Sequence, residues 1–240
     1  PVATLGFLPN HRLAAIRDAS FEDQAVIWST ESGDRVVPAR RVSGRFPTFG
    51  LGGRAIHYWQ GKAVVSANTN TWELTRSPIP LPEEPVLQMA MDPTARTAVT
   101  RSQTGLIQAH KAGRPPITLA RESNRMGPLA ISQDGLRAAA VNTTTGVLTV
   151  WSLDDGKELC RHETVHSECR AFSPDGSQVY FGPTTRSALD PCVIGLDTTT
   201  GKVATRFAGH LWKVHAIAVS GSGQSLATIG LDGLVRVWDS

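Results

Sequence analysis

Short apolar runs recur along the chain, cut at regular intervals by Gly, Pro, Ser, Asn and Asp. Within a run the pattern alternates with period two, as in Leu234-Val235-Arg236-Val237-Trp238. That alternation predicts half-buried strands, and no segment carries a convincing 3.6-residue helical period. The runs come in sets. An apolar residue ends the first strand of each set and precedes a Ser-Pro-Asp-Gly-like turn, clearest at Phe172-Ser173-Pro174-Asp175-Gly176. The equivalent anchors are Phe7, Phe49, Met91, Ile131, Phe172 and Val219, spaced by 42, 42, 40, 41 and 47 residues.

A second register keeps the same period. The position that closes the third strand falls at Trp28, Ser66, His110, Trp151, Leu196 and Trp238. Turns such as Asp155-Gly156-Lys157 and Thr200-Gly201-Lys202 follow it. They lead into fourth strands expected at Arg35–Arg40, Trp72–Arg76, Ile117–Arg121, Glu158–His162 and Val203–Phe207. A repeat of about 40–45 residues carrying four short strands is the period of a propeller blade.

The last stretch, Gly209 to Ser240, opens on Gly209-His210 and closes on Trp238-Asp239. On these residues, with Phe172–Gly176 and Val150-Trp151-Ser152, the chain resembles the WD-repeat β-propeller family over its whole length. The resemblance implies an all-β propeller of four-stranded antiparallel blades. Six repeat units are expected, at about 1–41, 42–78, 79–121, 122–162, 163–208 and 209–240. Units five and six match best, and units one to three match mainly by period. Six inner triplets but five outer strands are countable, so the last blade is expected to lack its outer strand. The chain is therefore expected to be a fragment of a longer protein with seven or more blades, or six as the alternative.

Composition narrows the function classes. Of 240 residues, 40% are hydrophobic and 19% charged, with 22 Gly and 15 Pro, which suits a globular β protein. Net charge is +3, and the basic residues are scattered, so no nucleic-acid stripe is expected. Five of the 24 basic residues are Lys and 19 are Arg, which genome composition explains. No apolar run has the length of a membrane helix, and this segment is expected to make no membrane contact. Three cysteines, Cys160, Cys169 and Cys192, form no disulfide framework and point to a reducing, cytoplasmic setting.

Three constellations carry candidate chemistry. In the family that the chain resembles, positions equivalent to His210, Thr228, Asp232 and Trp238 form a buried hydrogen-bond chain. The resemblance implies a structural clamp here, since a buried indole N–H and imidazole need partners. A nucleophile–His–Asp triad would leave the Trp without a role. Cys160, His162, His166 and Cys169 lie within ten residues, a zinc-like set. The repeat register puts Cys160 on an outer strand and Cys169 on the next innermost strand, which argues for no metal. The third is a binding face. The family's partners often dock on loops entering the innermost strands, four and six residues before each anchor. Those positions include Arg45, Arg125, His166, Glu168, Lys213 and His215. They imply either a mildly basic face for an acidic peptide or protein, or an ordinary solvated rim.

Two loops depart from the repeat: Thr184–Cys192, and the Pro-rich Pro78–Pro85, which reads as a stiff connection or as an extended ligand. No phosphate-cradling glycine loop, HExxH pair or nucleophile elbow is present. The expected function is a non-catalytic protein-interaction scaffold or sensor that needs no cofactor. Its worn, Arg-rich repeats resemble bacterial family members attached to a kinase or another enzyme domain. The alternative is a propeller hydrolase or lyase with a metal at its central channel.

Overall fold

The computed structural model describes residues 2–8, 12–17, 23–29, 31–32, 34–42, 45–50, 53–60, 63–80, 82, 84–121, 126–164, 167–183 and 192–239. In the strands at 2–8, 12–17, 23–28, 36–42, 167–170, 183 and 215 it describes the backbone alone. All described elements are strands, in antiparallel sheets of the propeller-blade type. The first sheet is β1 (Val2–Leu8), β2 (Arg12–Arg17), β3 (Asp23–Ser29) and β4 (Arg35–Val42). The second is β5 (Arg45–Phe49), β6 (Ala55–Gln60), β7 (Ala63–Asn68) and β8 (Leu74–Arg76). The third is β9 (Val86–Met91), β10 (Thr97–Ser102), β11 (Leu106–Lys111) and β12 (Ile117–Arg121). The fourth is β13 (Ala130–Ile131), β14 (Arg137–Asn142), β15 (Val147–Ser152) and β16 (Glu158–Glu163). The fifth is β17 (Ser167–Phe172), β18 (Gln178–Pro183), β19 (Val193–Asp197) and β20 (Val203–Phe207). The last sheet has three strands, β21 (Val214–Val219), β22 (Ser225–Gly230) and β23 (Val235–Asp239). Among the described residues there are thus five four-stranded blades, not six, and the last unit makes a three-stranded sheet.

The turns explain the period. After the first strand, a Ser or Asp side chain takes over the backbone donors that the turn leaves open. Ser173 Oγ accepts from Gln178 N–H at 2.9 Å and donates to Asp175 at 2.6 Å. Asp92 does the same work in the third sheet, accepting from Thr97 N–H at 2.6 Å and Arg96 N–H at 2.9 Å. Four residues past Phe49, Met91, Ile131, Phe172 and Val219 the backbone turns left-handed, at Gly53, Ala95 (φ 52°), Gly135, Gly176 and Gly223. Glycine takes that conformation without a Cβ clash, so among these five turns Ala95 holds the strained copy.

The chain divides into two compact units. One comprises Pro1–Glu83, Met91–Ala98 and His110–Pro115; its described core gathers Ile56, Tyr58, Val65 and Ala67. The other comprises Glu84–Ala90, Val99–Ala109 and Pro116–Ser240. In this second unit, β14 reads Arg-Ala-Ala-Ala-Val-Asn and buries both of its faces. Ala138 and Ala140 pack with Trp151, Leu153, Val99 and Ile107, while Ala139 and Val141 pack with Leu148, Val150, Phe181 and Leu196. Small side chains there let neighbouring sheets approach on both sides of one strand, and a buried strand needs no polar alternation.

Candidate functional site

Among the described residues, the last sheet holds a connected set of paired polar side chains. His210 enters it just ahead of β21, Thr228 lies on β22, Asp232 in the β22–β23 turn and Trp238 on β23. His210 and Thr228 are buried. The Trp238 indole N–H donates to Thr228 Oγ1 at 2.9 Å. The same Thr228 Oγ1 lies 2.7 Å from His210 Nε2. The Asp232 carboxylate only accepts, so His210 Nδ1, 3.0 and 3.1 Å from its oxygens, carries a proton and donates to it. In the neutral imidazole Nε2 is then an acceptor, and the Thr228 hydroxyl donates to it while accepting from the indole.

Asp232 is the hub. Burial would raise its pKa, but the His210 N–H and the Leu234 and Leu211 N–H groups outweigh this and hold it at about 2. Arg236 Nη1 lies 3.1 Å from Asp232 Oδ2 and 3.2 Å from His210 Nδ1, adding a cation that the sequence motif did not single out. Gly230 closes the site from β22. A Cβ there would collide with His210 Nδ1 and Asp232 Oδ1.

The hub also fixes a loop. Leu211 N–H donates to Asp232 Oδ2 at 3.2 Å, and Leu231 N–H donates to Lys213 O at 2.8 Å. Leu211 and Trp212 are tied down by backbone on both sides, yet their side chains are 71% and 47% exposed. The arrangement holds an apolar and an aromatic side chain in water on a braced backbone. As a hydrolytic triad it is blocked, because the Thr228 hydroxyl is buried and already engaged by the indole.

The other candidate residues do not assemble into one described site. Arg45 is exposed, with its guanidinium 4.9 Å over the Phe46 ring. Lys213 is half-buried beside Trp212. Glu168 and His215 lie on β17 and β21, with side chains outside the described set, and Arg125 and His166 lie outside the described residues. Of the zinc-like set, Cys160 is buried on β16 and its thiol is pushed up to about 11 by burial and by the Asp197 and Glu158 charges. A thiol held protonated is a poor metal ligand. The His162 ring packs 5.9 Å from the Phe181 ring. His166 and the Cys169 side chain fall outside the described residues. Among the described residues, no three His, Cys, Asp or Glu side chains gather to hold a metal ion.

Two histidines form polar features that sequence reading did not pair. His57 on β6 meets Ser66 Oγ at 2.7 Å through Nδ1 and the Pro93 carbonyl at 3.0 Å through Nε2. Ser66 occupies the third-strand closing position, where Trp238 stands in the last sheet. His110 holds that position in the third sheet and is fully buried, its pKa pushed down to about 4 by burial. In the Pro-rich connection Ile79 is buried and its N–H donates to Ser77 Oγ at 3.3 Å, while Pro78 and Pro85 are exposed. Residues 184–191 of the other unusual loop lie outside the described residues. No helix among the described residues is long and apolar enough to cross a membrane. No family model and no curated protein sequence matches the chain.

Proposed function

We propose that this chain is a non-catalytic protein-interaction platform of the WD-repeat type, part of a bacterial regulatory or scaffold protein. The observation that carries the reading is the braced segment Leu211–Trp212. Its backbone is pinned to Asp232 and to the β22–β23 turn, and its side chains face water. Exposed Trp on a pre-ordered backbone binds with little loss of loop entropy, and Trp is among the commonest interface hot spots. Lys213 adds positive charge beside it, which suits a protein surface with an acidic rim. The WD-repeat assignment draws on the Gly209-His210…Trp238-Asp239 frame, the hydrogen-bond chain inside it and the four-stranded blades.

The test is affinity capture on this chain against a Leu211→Ser/Trp212→Ser double variant. Both substituted side chains are exposed, so the variant is expected to melt within about 0.5 kcal/mol of the parent. A specific protein retained by the parent chain and lost by the variant supports the reading. Identical retention by the two removes it.

A further inference from the structure

The third sheet carries a polar pair where the later sheets carry small or apolar residues. Gln88 lies on β9 and Arg101 on β10. Two backbone bonds bracket this pair of strands: Asp92 N–H donates to Thr97 O at 3.0 Å, and Gln103 N–H donates to Pro85 O at 3.2 Å. The last sheet has the same two bonds at the same offsets, Ser220 N–H to Ser225 O and Leu231 N–H to Lys213 O, each 2.8 Å. Between them Ala216 pairs with Ile229. That register sets Gln88 directly opposite Arg101, and directly opposed residues turn their side chains to one face. The equivalent pair in the fifth sheet is Cys169 and Gly182. In the fourth sheet Val141 stands where Arg101 stands here, and it is wholly buried. A blade of this type therefore needs no cation at this place.

Neither polar group is matched from within the chain. Arg101 Nε and Gln88 Oε1 are buried and have no hydrogen-bond partner. Both residues are otherwise half-buried, so part of each side chain still meets water. Among the described residues Arg101 makes no ion pair. The carboxylate at this end of the hairpin belongs to Glu84, and it is already engaged: Thr104 Oγ1 donates to its Oε2 at 2.6 Å. Hydrogen bonds from Ser102 and Thr104 foremost hold Glu84 below the usual carboxylate range, and the cation that acts on it is Arg121.

A guanidinium stays charged at any working pH, and removing part of it from water without a counter-charge is unfavourable. Gln88 sets an unused acceptor beside it. The complement is a ligand with a carboxylate, which takes two parallel N–H bonds from a guanidinium fork, and with an N–H next to that carboxylate, which donates to Gln88. A peptide supplies both, at its C-terminus or at an acidic side chain beside a main-chain amide. We infer that Arg101 and Gln88 form a binding site for the carboxylate of a peptide. The site is separate from the Leu211–Trp212 display, so either can fail alone.

Nuclear magnetic resonance titration of the purified chain with three small probes is the test. N-acetylglycine carries a main-chain carboxylate, N-acetylaspartate N-methylamide a side-chain carboxylate, and N-acetylglycinamide no charge. A carboxylate probe is expected to shift the Arg101 Nε–H resonance and the β9 and β10 amides saturably, and the tighter of the two identifies the source. N-acetylglycinamide is expected to bind at least about tenfold more weakly. Arg101→Gln is expected to abolish the response of the β9 and β10 amides, and Gln88→Leu to weaken it about threefold or more. Arg101→Gln leaves no charge unpaired, so it is expected to melt no lower than the parent chain. No saturable shift with either carboxylate overturns the proposal, and is the result that an internal Gln88–Arg101 bond would give. So does an equal response in Arg101→Gln, or equal binding of the uncharged probe.

Discussion

Thr228 carries two hydrogen bonds at one oxygen, and the rest of the clamp depends on it. Replacing it with the near-isosteric Val leaves the Trp238 N–H and His210 Nε2 without partners, while the space stays filled. The cost is that of two unsatisfied buried groups, roughly 1–3 kcal/mol, read as a lower urea midpoint with an unchanged slope. An unchanged midpoint would refute the clamp. Arg236 belongs to the same network, but sequence reading passed over it because an Arg inside an alternating strand looks like an ordinary solvent-facing position. Only the folded turn brings its guanidinium to Asp232.

At the scale of single elements, much was legible before any coordinates. The anchor turns could be placed because their chemistry is local. Ser173 and Asp175 cap donors within five residues, and the left-handed residue lies at a fixed offset. The same locality made Ala95 and Trp72 hard to see as turn residues. Trp72 takes φ 61° four residues after Asn68, where Gly146 follows Asn142 and Gly201 follows Asp197. In each case the Asn or Asp side chain caps the turn, as Asn68 Oδ1 does for Asn70 N–H at 2.8 Å and Thr71 N–H at 3.0 Å. The turn forms on its cap even where the glycine is missing. What remained hidden was non-local: the His57–Pro93 bond spans 36 positions, and Val237 on β23 is exposed where Val150, at the same register position on β15, is wholly buried. A sequence pattern records that Ala218, Ala227 and Val237 are apolar. It does not record whether another sheet reaches them.

For the molecule as a whole, two buried imidazoles contribute a loss of stability as the pH falls. His110 titrates at about 4 in the fold, and burial lowers His57 as well, against an ordinary value near 6.5 in the unfolded chain. Both are held neutral in the fold, so below pH 6.5 the unfolded state binds more protons than the folded one. Stability is full above that pH, falls as pH drops toward 4, and levels off for these groups below it. For His110 the whole window amounts to about 3 kcal/mol. Asp232, depressed to about 2, contributes a separate loss only at lower pH. Melting temperatures taken from pH 7.5 to 4 should therefore slope downward from about 6.5, and His110→Leu should flatten part of that slope. An equal slope in the variant would place the acid sensitivity elsewhere.

The clamp braces a water-facing loop, and the exchange rate of one amide reports on that bracing. The Leu211 N–H sits beside an exposed side chain but donates to the buried Asp232 carboxylate. In native-state hydrogen exchange at neutral pH it is expected to be protected to nearly the level of the β22 core, and to lose that protection in Thr228→Val well before the sheet itself opens. Exchange of the Leu211 amide at the rate of an unstructured loop in the parent chain would contradict the account.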